Sequence, residues 1–207
     1  MTVPHTPALE QVIETALSQA GIEASEVDYL EAHGTGTSVG DPIEIDAVAS
    51  VYGKGRKADR PLLVGSVKTN VGHLESAAGI AGLIKAVLVM ERGVIPKHLH
   101  FQNPNPNVDW NQLPLKVTSS MMELPQRGGR PRLAGVNSFG ISGTNAHIVV
   151  EEYNKSARLP YDLGQVAGPE KAVSYTVPAT IQNLTIPKKS AENQTCLLYT
   201  SPSPRDS

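Results

Sequence analysis

Apolar residues recur at helical spacing near the start of the chain, at Leu9, Val12, Ile13, Ala16 and Leu17, and Gly21 ends the run. This pattern predicts an amphipathic helix with a glycine stop. Residues 27–32 (VDYLEA) predict a short strand that feeds a glycine-rich turn. Asp41 is then a predicted N-cap, with Pro42 at the first helical position and Glu44 at the third, so a helix is expected over 42–52. Residues 62–67 (LLVGSV) suit a buried strand. Residues 75–91 predict a helix whose first half carries Ala77, Ala78, Gly79, Ala81 and Gly82. Such small residues let a helix lie close to its neighbours. Strands are expected over 115–118, 133–137 and 147–152, and the last two flank FGISGTN, which predicts a hairpin. Strands alternating with helices predict an α/β layered domain.

The pattern fades near residue 153. Residues 1–153 hold 16 of the 18 glycines and all six histidines. Residues 154–207 are polar and proline-spaced, without a period, and predict a linker or largely disordered tail. Within it, residues 191–207 read as non-native read-through from a cloning adaptor or a frameshift. The sequons at Asn183 and Asn193 read as chance matches.

Composition narrows the functional classes. The formal charge is −2, with 18 Lys+Arg against 20 Asp+Glu, which disfavours general nucleic-acid binding, because phosphate neutralisation needs clustered cations. The single cysteine, Cys196, excludes an intrachain disulfide framework and any multi-cysteine metal site. No signal peptide is visible, and the longest apolar stretch, 76–90, is interrupted by Lys85 and too short to span a bilayer. A cytoplasmic chain, with no membrane partner, is expected.

Three polar clusters each follow a predicted strand: His33 in EAHGTGTSVGDPIE, Lys68 and His73 in SVKTNVGHLE, and the segment 137–147, NSFGISGTNAH. Strand ends are where α/β folds collect catalytic groups. Each cluster also has a plainer explanation. His33 is a turn histidine in that view, and Lys68 a surface charge. An ammonium directly after an apolar strand is costly unless paired, however. GTGTSVG lacks the spacing of a phosphate loop. His98 and His100 form an H-x-H pair without a third ligand, so they read as structural and no metal is expected. Trp110 reads as a loop anchor. The Asp41-to-Glu44 segment reads as a structural support for the His33 loop.

In this order the three clusters resemble the C-terminal half of a β-ketoacyl synthase, in wording closest to the ketosynthase domains of type I polyketide synthases. The resemblance covers about residues 3–152. It implies a thiolase-like layered α/β fold, of which this chain supplies the second half. It also implies decarboxylative Claisen condensation: a cysteine carries an acyl thioester, and a malonyl-type extender on an acyl carrier protein loses CO₂ and attacks it. By the resemblance His33 and His73 direct ring N–H groups at the extender's thioester oxygen, and Lys68 orients and polarises them. Phe139, Gly140 and Ile141 match a turn that lends the Ile141 backbone N–H to a second oxyanion hole, with Ile141 also lining the acyl entrance. The implied partners are an N-terminal ketosynthase half, the acyl carrier protein with its phosphopantetheine arm, and a second copy in a homodimer. No cofactor bound by the chain itself is implied.

The family's nucleophilic cysteine has no counterpart here. Cys196 has no glycine-rich elbow, no following helix and no basic neighbour in the local sequence. The chain is therefore expected to be a fragment, inactive alone, with an exposed apolar face where the other half packs. Three alternatives remain: a non-elongating ketosynthase-like domain, a fatty-acid synthase ketosynthase, and a metal- or nucleotide-binding module.

Overall fold

The computed structural model describes residues 5–124, 126 and 128–153. The tail expected over 154–207, with Cys196 and both sequons, lies outside them.

Helix α1 (Thr6–Ala20) buries Leu9, Ile13 and Leu17 on one face. Gly21 ends it at φ 65°, the left-handed conformation a glycine adopts without penalty. Strand β1 (Tyr29–Glu31) follows a 3₁₀ turn, and helix α2 (Gly40–Tyr52) follows the glycine-rich segment. Strand β2 (Leu62–Gly65) leads through a single helical turn, α3 (Lys68–Val71), and a second 3₁₀ turn into helix α4 (Ala78–Arg92). Strands β3 (Val94–Ile95), β4 (Leu115–Val117), β5 (Met122–Glu123), β6 (Leu133–Phe139) and β7 (Asn145–Glu151) complete the described chain.

Five strands form one sheet in the order β4-β2-β1-β6-β7. The first four are parallel, and β7 returns antiparallel to β6 as the predicted hairpin. A small antiparallel pair, β3–β5, was not expected from the sequence. Its two-residue strands are too short to show an alternating pattern.

The period of two along the strands separates two cores. Leu30, Leu62, Val64, Leu115, Val117 and Leu133 face α1 and α2. Tyr29, Leu63, Ala134 and Val136 face α4. The chain is thus an α/β layered domain. Helix α4 also bears exposed Ile80, Ile84, Val87 and Leu88, an i, i+4, i+7, i+8 row on a helix whose other face is already buried. Among the described residues no helix is long and apolar enough to cross a membrane.

The starts of α2 and α4 differ from expectation. Asp41 is not the N-cap of α2: the helix begins at Gly40, with Val39 at the cap. Asp41 is buried in the first turn and accepts the Gly36 N–H at 3.1 Å, so it ties the preceding loop rather than the helix end. The helix expected over 75–91 begins as a 3₁₀ turn, Glu75–Ala77, and becomes α-helical at Ala78.

Close packing across the sheet fixes Gly135 on β6. A Cβ there would lie 2.7 Å from the Tyr52 hydroxyl and 2.9 Å from the His147 ring. Replacing Gly135→Ala is expected to destabilise the chain by about 1–3 kcal/mol, the usual cost of overpacking, read as a lower urea midpoint at unchanged slope. An unchanged midpoint would show that Tyr52 and His147 yield freely.

Candidate active site

Parallel strands β1, β2 and β6 end at one edge of the sheet, where Glu31 lies opposite Gly65 on one side and Val136 on the other. The three clusters therefore emerge side by side. Two residues beyond β1 the chain reaches His33. Three beyond β2 it reaches Lys68, and β6 itself carries Asn137 and Phe139.

His33 is buried, and its ring centroid lies 5.4 Å from that of His73 at an interplanar angle of 84°. The Phe139 ring stands 5.4 Å from His33 on a tilted plane. Lys68 is buried in α3. Burial, then the charge of Lys68, then the neighbouring His73, push the His33 pKa down to about 3. Burial and Lys68 lower that of His73, against a smaller opposing pull from Glu75. Both rings are thus neutral near pH 7.

The His73 tautomer follows from its bond. Its Nδ1 accepts the Glu75 backbone N–H at 3.0 Å, so the ring proton sits on Nε2. His33 Nδ1 is buried and makes no hydrogen bond among the described residues. A buried polar atom without a partner is uncommon.

A buried polar chain holds the His33 loop. The Glu44 carboxylate, on α2, accepts the backbone N–H groups of His33 and Gly34, each at 2.8 Å, and the Asn137 side-chain N–H at 2.8 Å. Burial raises the Glu44 pKa, and these three donors and Lys68 pull it back. The Asn137 oxygen faces His147 Nδ1 at 2.6 Å, and His147 Nε2 faces the Tyr52 hydroxyl at 2.8 Å. Because Asn137 spends its amide protons on Glu44, its oxygen must accept. His147 therefore carries its proton on Nδ1 and accepts from Tyr52. Burial lowers the His147 pKa to about 4, which keeps this ring neutral too. The sequence reading of 41–44 as a support for His33 has its physical basis in Glu44.

Gly140 and Ile141 lie in the turn between β6 and β7. The Gly140 N–H donates to Thr144 O at 2.7 Å, and the Ile141 side chain is 79% exposed on that turn. The H-x-H pair separates: His98 is buried and accepts the Ser66 N–H at 3.2 Å through Nδ1, while His100 is exposed. Among the described residues no three His, Cys, Asp or Glu side chains are grouped to hold a metal ion.

Sequence reasoning missed Tyr52 and did not separate Asn137 and His147 from their motif. The available signal was Asn137, a polar residue at the end of an apolar strand, where a satisfied partner is required. Glu31 was also missed. It is buried at the end of β1 and bonded to Lys85 at 2.9 Å.

Two family descriptions match the chain: the C-terminal domain of β-ketoacyl synthases over residues 1–102, and the ketoacyl-synthetase C-terminal extension over residues 104–181. Erythronolide synthase EryA3 of Saccharopolyspora erythraea is 53% identical over 152 residues, 73% of this chain and 5% of that protein. Polyketide synthase GfsB of Streptomyces halstedii is 47% identical over 175 residues, 82% of this chain and 3% of that protein. Among solved structures, the ketosynthase from module 6 of the bacillaene synthase of Bacillus subtilis 168 superposes with a TM-score of 0.70 at 38% identity, covering 74% of this chain and 28% of that one. Ketosynthase twelve of the bacillaene polyketide synthase of Bacillus amyloliquefaciens superposes at 0.68 and 39% identity, over 73% and 27%. The chain thus spans under a third of each solved ketosynthase and 5% or less of these two synthases. With this order of motifs, this sheet and these matches, the chain belongs to the β-ketoacyl synthase family and is the C-terminal half of a thiolase-like ketosynthase of the type found in polyketide synthases.

Proposed function

We propose that this chain supplies the His33, Lys68 and His73 half of an acyltransferase that condenses an acyl thioester with a malonyl-type extender in polyketide assembly in the cytoplasm. The supporting observation is the pair of neutral imidazoles meeting at 5.4 Å, one with a buried unpartnered nitrogen and one with its proton fixed on Nε2. The extender arrives on the phosphopantetheine arm of an acyl carrier protein. Its thioester oxygen lies between the two rings and accepts their N–H groups. The bond from Cα to the carboxylate breaks and CO₂ leaves. The electron pair passes into the enolate, whose oxygen meets donors already in place. The enolate carbon then attacks the acyl thioester on a cysteine of the N-terminal half. The new C–C bond forms, the C–S bond breaks, and the thiolate departs. Burial, and then the Lys68 charge, keep both rings unprotonated, so each can donate without acting as a stray acid. The Phe139-Gly140-Ile141 turn is assigned to the second oxyanion, with the Ile141 N–H as donor and its side chain at the acyl entrance. A homodimer of the intact domain completes this reading.

Joined to the N-terminal half of a ketosynthase from a polyketide synthase relative, the chain is expected to decarboxylate malonyl-carrier protein. His33→Ala and His73→Ala should each lower that rate by about 10²–10³, while acylation of the cysteine persists. Radiolabelled CO₂ release checks the first, and mass spectrometry of the acyl-enzyme the second. Full decarboxylation by either variant overturns the assignment.

The row Ile80, Ile84, Val87 and Leu88 on α4 is the face we assign to the N-terminal half. Alone, the chain is expected to self-associate on gel filtration, and co-expressed with an N-terminal half it should elute as a defined complex. A monodisperse monomer that ignores the other half would refute this packing.

Acid should destabilise the fold in a defined window. His33 and His147 have folded pKa values of about 3 and about 4, below the ordinary 6.5 of imidazole. The stability they contribute is full above 6.5 and falls as pH drops toward those values, because the unfolded chain binds the protons first. For His147 the loss approaches about 3 kcal/mol. Urea midpoints across pH 7 to pH 4 check it, and a level profile would contradict neutral burial.

A further inference from the structure

Glu31 stands two residues before His33 on the central strand, yet its side chain serves the neighbouring cluster. One carboxylate oxygen, Oε1, accepts the backbone N–H of Val67, the residue before Lys68. The other, Oε2, accepts the Tyr29 hydroxyl at 2.6 Å and the Lys85 ammonium at 2.9 Å. Both charged side chains are nearly dry, at 11% exposure for Lys85 and 2% for Glu31.

The packing around this pair leaves it little freedom. A Cβ on Gly82 would stand 3.2 Å from Glu31 Cγ, and one on Gly65 would stand 2.8 Å from the Tyr29 hydroxyl and 3.3 Å from Lys85 Nζ. Two glycines thus make room for an ion pair inside an apolar layer. Such a pair is a poor source of stability, since apolar residues of similar volume often do as well or better. What distinguishes this pair is the bond to Val67.

The turn that carries Lys68 and His73 has three successive N–H groups to satisfy. Ser66 gives its own to His98 Nδ1 at 3.2 Å, Val67 to Glu31, and Lys68 to the Ser66 hydroxyl at 3.4 Å. Only the Glu31 bond comes from the strand that delivers His33.

We propose that Glu31, braced by Lys85, is a positioning residue that ties the Lys68–His73 turn to the His33 strand and so sets the separation of the two imidazoles. The proposal rests on the donor roles assigned above to His33 and His73. A misplacement of about 1 Å costs up to about 10²-fold in rate, so a bond that fixes two strand ends together acts on catalysis more than on folding.

The test uses the full chain joined to an N-terminal ketosynthase half, and two double variants. Glu31→Leu with Lys85→Met removes the charges and the acceptor. Glu31→Gln with Lys85→Met removes the charges but keeps a carbonyl oxygen for Val67. The expected result is that Leu/Met lowers kcat for malonyl-carrier decarboxylation about 10- to 100-fold with KM unchanged, and that Gln/Met recovers most of it. The ¹⁵N signal of His73 Nδ1, which reports its bond to the Glu75 N–H, should move in Leu/Met and return in Gln/Met. Equal rates for parent and Leu/Met, or equal slowing of both doubles, overturns the proposal. If Leu/Met does not fold, Gly82→Ala decides instead: its Cβ pushes on Glu31, kcat should fall severalfold, and an unchanged kcat is the overturning result. His73→Ala in the unmodified background keeps the two readings apart. If that variant decarboxylates at the parental rate, the donor assignment fails on its own, whatever the doubles do.

Discussion

The buried carboxylate of Glu44 is the point on which the site depends. It takes three N–H donors from two different strand ends: the backbone of His33 and Gly34 beyond β1, and the side chain of Asn137 on β6. The threonines of this loop serve its later turn, where Thr37 accepts the Gly40 N–H, so the backbone donors of His33 and Gly34 take an acceptor brought from elsewhere. Helix α2 brings it. Removing that acceptor would leave three donors orphaned in a dry region, each costing about 1–3 kcal/mol. The orientation of Asn137 then dictates the proton on His147, and His147 in turn anchors Tyr52 at the end of α2. The helix that supplies the carboxylate is thereby pinned at both ends by the network it feeds.

The sheet makes this economical. Parallel strands deliver their C-terminal ends to one edge, so chemistry separated by more than a hundred residues meets within a few ångströms. The two faces divide the work. Helices α1 and α2 bury their apolar sides against one face, while α4 lies on the other and keeps a second apolar row outward. A helix apolar on opposite sides is the signature of a middle layer. This agrees with the extent of the match to solved ketosynthases, of which the chain spans a little over a quarter.

Long periodic segments were legible in the sequence. Leu9, Ile13 and Leu17 marked α1, and the turn FGISGTN between two strand candidates marked the hairpin. The histidine and lysine clusters were legible because their types are unusual beside apolar strands. Asp41 misled, because an acidic residue before proline has the local form of an N-cap, yet its partner is the Gly36 N–H in the loop before the helix. Tyr52, His147 and Glu31 were illegible for a common reason. Each acts through a partner distant in sequence, His147 lying 95 residues from Tyr52 and Val67 lying 36 from Glu31. Such pairings are set by strand order, which local spacing does not encode.

The glycines of α4 show where local preference and the finished structure disagree. In an isolated helix, alanine at positions 79 and 82 would each gain about 1 kcal/mol over glycine. Against the sheet, a Cβ at 79 would stand 2.8 Å from the Ser138 hydroxyl, and one at 82 would stand 3.4 Å from Val136 as well as 3.2 Å from Glu31. Sequence redesign guided by helix preference would choose alanine at both places and lift the helix from the strands it covers. The weakness of α4 as a solitary helix is the condition for its close seat, and any scheme for strengthening this half-domain has to begin on its other surfaces.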